Sequence, residues 1–279
     1  MDYQKINSRW IYGLVLQVFG RNLVTFIIIA FLNTVFAVAS GFVPFMGIGS
    51  VIATVYLGGV SFMVAHKTIL QGAVLSPGEA FAFTPQSKTY FWQYLFIIGI
   101  PAVLGFIGGI AMFLSENLPF EPVIMVIIWG GVTSGIYYLV MAFFGTSLVA
   151  TAVGGDGMMM VSRGRETFFY SLTRLILLPS LALGAFGAAV YYVLFRGDAM
   201  GVEGLAPMFG DNANDAILTL LLLSVAAQLV AILFNMITAV IVTKAFLLAE
   251  VRLALKGQPT EWGKQAFGIT DQTRGVVYR

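Results

Sequence analysis

The chain has 279 residues, 59% of them hydrophobic and 10% charged, with a formal net charge of +2 and a mean hydropathy of +0.91. Soluble domains carry roughly 25% charged residues, so this composition describes an integral membrane protein. Zero cysteines and a single histidine exclude disulfides, thiolate chemistry and a histidine cluster able to hold zinc or haem, and no cofactor or metal is expected.

The first twenty residues, MDYQKINSRWIYGLVLQVFG, alternate charged and apolar groups and do not read as a secretory signal, which needs an uninterrupted apolar core and a small-residue cleavage site. At helical period Ile6, Trp10, Leu14 and Val18 fall on one face, with Lys5, Arg9 and Tyr12 elsewhere. Such a helix is expected to lie in the membrane interface, with Trp10 among its anchors. Apolar stretches at about 22–43 and 48–65 follow, each near the roughly 20 residues needed to cross the hydrocarbon.

The next connection, LSPGEAFAF, puts Ser76 at a helix N-cap, Pro77 at the first helical position and Glu79 three residues after the cap, a capping-box spacing. Two further stretches, 91–114 and 123–149, carry Gly105 with Gly109 and Gly131 with Gly135, a spacing that lets membrane helices approach closely. Then TAVGGDGMMMVSRGRETFFYS sets Met158, Val161, Phe168 and Leu172 on one helical face and Arg163, Glu166 and Tyr170 on another. We read it as a second interfacial elbow, with Phe168 toward the acyl chains and Arg163 and Arg165 toward lipid phosphates. Stretches at 172–194 and 216–244 complete six expected spans.

The expected fold is all-α: a polytopic membrane protein of six transmembrane helices. It divides into three repeats of an amphipathic elbow plus a helical hairpin, about 1–72, 73–155 and 156–257. Units two and three share SPGEAF beside SRGRETF, and IPAVLGFIGG beside LPSLALGAFGA, and internal repetition is a common way to build a membrane domain. Residues 1–257 would form one domain and 258–279 a cytoplasmic tail. In this topology fourteen of the fifteen Lys/Arg share one side with both termini, while Arg196 faces six acidic residues on the other. That bias makes both termini cytoplasmic. Basic residues scattered along membrane edges give no nucleic-acid partner.

The six-span plan, the stretch SLVATAVGGDGMMMVSRGRETFFYSLTRLILLP and the ending VTKAFLLAEVRLALKGQP resemble a loose family of bacterial six-span proteins. That family includes the YciC-like proteins and the membrane domain preceding some glycerophosphodiester phosphodiesterases. The resemblance implies a bacterial inner-membrane protein whose last helix runs into the cytoplasm and closes on a charged, glycine-ended turn, here Glu250, Arg252, Lys256 and Gly257. No phosphodiesterase domain is attached, so that activity does not carry over.

Catalytic readings fail on chemistry. VGGDG resembles the Gly-x-Gly-Asp motif of intramembrane aspartyl proteases, but Val153 stands three before Asp156 and no second span offers the partner carboxylate that mechanism needs. His66, beside Lys67, reads as an interfacial residue at a helix end. Lys244 stands near the cytoplasmic edge of the last span and is expected to snorkel to the headgroups. The acidic loop 195–215 has no ordered calcium-ligand spacing. Asn33, Gln228 and Asn235 are uncharged polar groups inside spans and the candidate lining of a cavity.

From Ala216 to Lys256 there is neither proline nor glycine, which predicts one unbroken helix. Its last turns should extend beyond the membrane, with Phe246, Leu247 and Val251 packed on the elbows and Glu250, Arg252 and Lys256 toward water. The function expected is non-enzymatic: an inner-membrane accessory or scaffold subunit binding lipids and other membrane proteins, or copies of itself. The alternative is a transporter or lipid-handling protein with a cavity between hairpins.

Overall fold

Helix is the regular structure throughout the described part of the computed structural model, which covers residues 8–42, 46–113, 122–154 and 213–255. The elements are α1 (Ser8–Arg21), α2 (Leu23–Phe42), α3 (Met46–Gln71), α4 (Pro77–Ala80), α5 (Pro85–Phe113), α6 (Pro122–Ala152) and α7 (Ala213–Leu255). Helix satisfies every backbone hydrogen bond within the segment, which an apolar solvent requires.

Among the described residues three helices are long and apolar enough to cross a membrane: Gly49–Gln71, Gly135–Ala152 and Ser224–Leu247. A fourth candidate is the pair Ile11–Arg21 and Leu23–Ala39, which is bent by 82°. The expected stretches 22–43, 48–65, 91–114, 123–149 and 216–244 thus fall on α2, α3, α5, α6 and α7. The stretch 172–194 lies outside the described residues.

Helices α2 and α3 pack together, as do α5 and α6, and α3 also touches α5. Helix α7 packs on α1, α2, α3 and α6. Consequently all ten residues 238–247 of α7 are buried. A helix buried over its whole circumference has neighbours on every side, so α7 is the central post at this level. As expected it is unbroken over 43 residues, about 64 Å at 1.5 Å per residue and roughly twice the hydrocarbon thickness.

The outward faces are apolar. On α2, Val24, Ile27, Phe31 and Val35 form an exposed stripe, and on α5 so do Trp92, Phe96, Val103 and Ile107. Contiguous apolar surface of this kind is rare on soluble monomers and is what a helix presents to lipid. Helices α3 and α6 each stop at a glycine of positive φ, Gly72 (67°) and Gly154 (90°), the left-handed closure in which an L side chain is strained.

Candidate functional site

The polar side chains gather where α1, the end of α3, the α3–α4 connection and the later half of α7 meet. Helix α1 is buried there through Ile11, Val15 and Val18, a set at spacings of four and three that forms one helical stripe. The face expected to meet the acyl chains holds Ile6, Trp10, Leu14 and Val18; of these Leu14 is half-buried and Val18 buried within the protein, and Ile6 lies outside the described residues. The stripe packed within the protein is Ile11, Val15 and Val18, and α1 packs on α7. The side chain of Trp10 lies outside the described residues. A second edge of α1 remains apolar and outward, with Leu16 65% and Tyr12 40% exposed, while Gly13, Gln17, Gly20 and Arg21 are exposed beside it.

Asn22 makes the corner between α1 and α2. Its backbone N–H donates to the Val18 and Phe19 carbonyls at 3.2 Å each. Its side-chain amide donates to the Val18 carbonyl and to Thr68 Oγ1, each at 3.0 Å. Its Oδ1 accepts from the Leu75 N–H at 3.1 Å, and Thr25 Oγ1 donates to the Leu75 carbonyl at 3.1 Å. One buried amide therefore ties α1 to the end of α3 and to the connection leading into α4. Phe19 and Phe26 stack across the bend, with centroids 5.5 Å apart and planes within 4°.

Beyond this connection the expected capping box is present. The Ser76 hydroxyl accepts from the Glu79 N–H at 3.4 Å, while the Ser76 N–H and hydroxyl donate to Glu79 Oε2 at 2.9 and 2.7 Å. The Ser76 hydroxyl, and then its N–H, hold the Glu79 carboxyl below its usual range, because both bonds favour the charged form. A related box opens α5: the Thr84 N–H donates to Ser87 Oγ at 2.7 Å and the Ser87 N–H to Thr84 Oγ1 at 3.1 Å. Gln86 then donates to the Thr151 and Ala152 carbonyls at 2.8 and 3.0 Å, capping the end of α6, and Thr151 Oγ1 donates to Gln93 Oε1 at 2.8 Å. Val74 and Phe83, on either side of α4, are 60% and 67% exposed.

Three polar groups expected at the surface are buried instead. His66 is fully buried, its Nδ1 2.7 Å from Thr243 Oγ1. Lys244, expected at the headgroups, is 7% exposed, and Glu250, expected toward water, is 4% exposed. Lys244 and Glu250 stand on α7, which packs on α1, α2, α3 and α6, and His66 on α3 faces α7 through Thr243. Phe246 and Leu247 are buried, as expected. Val251, Arg252, Arg163, Arg165 and Phe168 lie outside the residues whose side chains are described.

Asn33 is 6% exposed, and its Oδ1 has no hydrogen-bond partner among the described residues. Gln228 and Asn235 are half-buried on α7. A crevice of about 10 Å³ lies between α3, α4 and α5, lined by Tyr56, Met63, Ser87 and Tyr90 among others, and none of the three amides lines it. That volume holds one water molecule. Among the described residues no three His, Asp or Glu side chains converge to hold a metal.

Sequence reasoning missed Asn22, Thr68, Gln86 and Thr243. A usable signal existed for the start of α5, where Thr84-Pro85-Gln86-Ser87 repeats the Ser76-Pro77-Gly78-Glu79 arrangement. None existed for Asn22, whose partners are 46 and 53 residues away in sequence. No protein-family model, curated protein or solved structure matches the chain.

Proposed function

We propose that the protein is a non-enzymatic accessory or scaffold subunit of a bacterial inner membrane, holding its elbows in the lipid interface and offering helical faces to other membrane proteins or to copies of itself. The carrying observation is the Asn22 corner, where α1 turns 82° from α2 while fastened to the α3–α4 connection. A helix nearly perpendicular to a span lies along the membrane plane. Its outward apolar edge, Tyr12 and Leu16, then meets acyl chains, while Arg21, on the opposite side of the helix, meets phosphates. Val74 and Phe83, on either side of α4, are exposed apolar groups as well. In this reading the chain has six spans in three units, both termini are cytoplasmic by the Lys/Arg bias, and the likeness to the YciC-like proteins extends to the elbow before each hairpin.

The transport alternative rests on Asn33, since a buried amide oxygen without a partner costs about 1–3 kcal/mol unless something fills the place. Labelling separates the two readings. The chain has no cysteine, so single cysteines at positions 33, 228 and 235 can be challenged with a membrane-impermeant thiol reagent in sealed vesicles of both orientations. A scaffold predicts protection at all three, with Gln17→Cys labelled from one side as the positive control. Labelling of all three from both sides would replace the scaffold by a transporter.

A further inference from the structure

Two lysines at the elbow end make no hydrogen bond or ion pair among the described residues: Lys67 on α3 and Lys88 on α5. Lys88 is exposed, whereas Lys67 is half-buried between the buried His66 and Thr68. A partly desolvated ammonium without an anion is unfavourable. Glu79, the nearest acid in sequence, turns its carboxylate to Ser76 instead. Both lysines flank one seam. On α3, Tyr56, Val60, Met63 and Lys67 follow at spacings of four, three and four, a single helical stripe, and the first three line the crevice between α3, α4 and α5. On α5, Lys88 precedes Phe91 by three residues and Trp92 by four. Phe91 lines the same crevice, and its ring meets that of Tyr56 with centroids 5.4 Å apart, so the two lysine-bearing stripes meet on one flank.

Farther from the elbow end the flank is apolar. Trp92 is 58% exposed, with its ring 5.9 Å from that of Phe91, and Ile52, one turn before Tyr56 on α3, is 57% exposed. Cations at the rim of an exposed aromatic and aliphatic surface match a phospholipid, phosphate outermost and acyl chains below. The crevice itself is too small for an acyl chain, so the lipid lies along the flank. The site rests on the interfacial placement of the elbow end proposed above. We propose that this flank of the α3–α5 seam binds a phospholipid of net negative charge, its phosphate facing Lys67 and Lys88 and its chains lying on Trp92 and Ile52. Lysine acts on a phosphate as a point charge, and a zwitterionic headgroup brings an ammonium of its own. Two unpaired lysines therefore select the anionic lipid, and the bound phosphate supplies the counter-charge that the half-buried Lys67 lacks.

Trp92 is a built-in reporter. With Trp10, Trp129 and Trp262 replaced by phenylalanine, the full chain is reconstituted in phosphatidylcholine bilayers holding a small, fixed fraction of either brominated phosphatidylglycerol or brominated phosphatidylcholine, and Trp92 fluorescence is read. The expected result is severalfold stronger quenching by the anionic species. That preference should vanish in the pair Lys67→Gln with Lys88→Gln and persist in Lys67→Arg with Lys88→Arg, which keeps the charge. A probe on the exposed face of α2, Phe31→Trp with Trp92→Phe, should be quenched equally by both lipids. Equal quenching at Trp92, a preference that survives the glutamine pair or is lost in the arginine pair, or the same preference at position 31 would each overturn the site while leaving the interfacial placement standing. Quenching of Trp92 by neither lipid would put this end outside the bilayer and overturn both.

Discussion

Replacing Asn22 by alanine removes the one side chain that fastens α1, α3 and the α3–α4 connection together. The lost bond to the Val18 carbonyl costs little, because the Asn22 N–H also points to that carbonyl. The bond to Thr68 is worth about 1 kcal/mol, and the Leu75 N–H left unpaired in a part-buried place costs about 1–2 kcal/mol more. Asn22→Ala should therefore destabilise the protein by about 2–3 kcal/mol. Thr68→Val keeps shape and removes one bond, so its cost should be about 1 kcal/mol. Since the two variants delete the same bond, their combination should fall short of the sum by about 1 kcal/mol. Reversible unfolding in mixed micelles titrated with denaturing detergent, followed by circular dichroism, gives these differences, with the exposed Gln17→Ala as a control expected within about 0.5 kcal/mol of the parent. An Asn22→Ala variant no less stable than Gln17→Ala, or strict additivity with Thr68→Val, would refute the corner as the fastening point.

Further outcomes follow from the packing and the caps. A Cβ on Gly59 would lie 3.0 Å from the ring carbon Cδ1 of the buried Tyr94, so Gly59→Ala should cost about 1–3 kcal/mol by overpacking and recover in part with Tyr94→Leu. By contrast a Cβ on Gly99 meets nothing within 4 Å, and Gly99→Ala should gain about 0.5–1 kcal/mol in the same unfolding assay. Because Glu79 has its folded pKa lowered by Ser76, the box contributes above the unfolded carboxyl pKa and is lost as pH falls through the folded one. Hydrogen exchange at the Ala80 N–H should accelerate, relative to its intrinsic rate, across that acidic window, and Glu79→Gln should abolish the step. Gln86→Ala frees the Thr151 and Ala152 carbonyls and should loosen the end of α6, seen as faster exchange at Val153 and Gly154 with the α2–α3 hairpin unchanged.

What could be read in the sequence was what depends on neighbours along the chain. Apolar run lengths placed α2, α3, α5, α6 and α7, the absence of Pro and Gly marked α7 as unbroken, and the Ser76–Glu79 spacing was sufficient for its cap. Burial of individual polar residues was not legible, because it depends on which helix occupies the centre. Lys244 and Glu250 look like edge residues until α7 is seen to be enclosed by α1, α2, α3 and α6. His66 looks interfacial beside Lys67, yet its neighbours are Phe62, Tyr90 and Thr243. On α1 two apolar edges, Ile11/Val15 and Tyr12/Leu16, compete on one short helix, and only the third dimension assigns one to protein and leaves the other outward.

The claim on which the account turns is that α1 lies in the interface and α2 descends from it. Spin labels on single cysteines at positions 12, 16, 24, 27, 31 and 35, all outward-facing in this fold, can be read for depth against a lipid-soluble and a water-soluble relaxant in bilayers. The account predicts one shallow depth at 12 and 16, then a progressive descent through 24, 27 and 31 of about 6 Å per four residues. A steady descent beginning at position 12, as in a straight span, or labels at 12 and 16 open to bulk water, would contradict it.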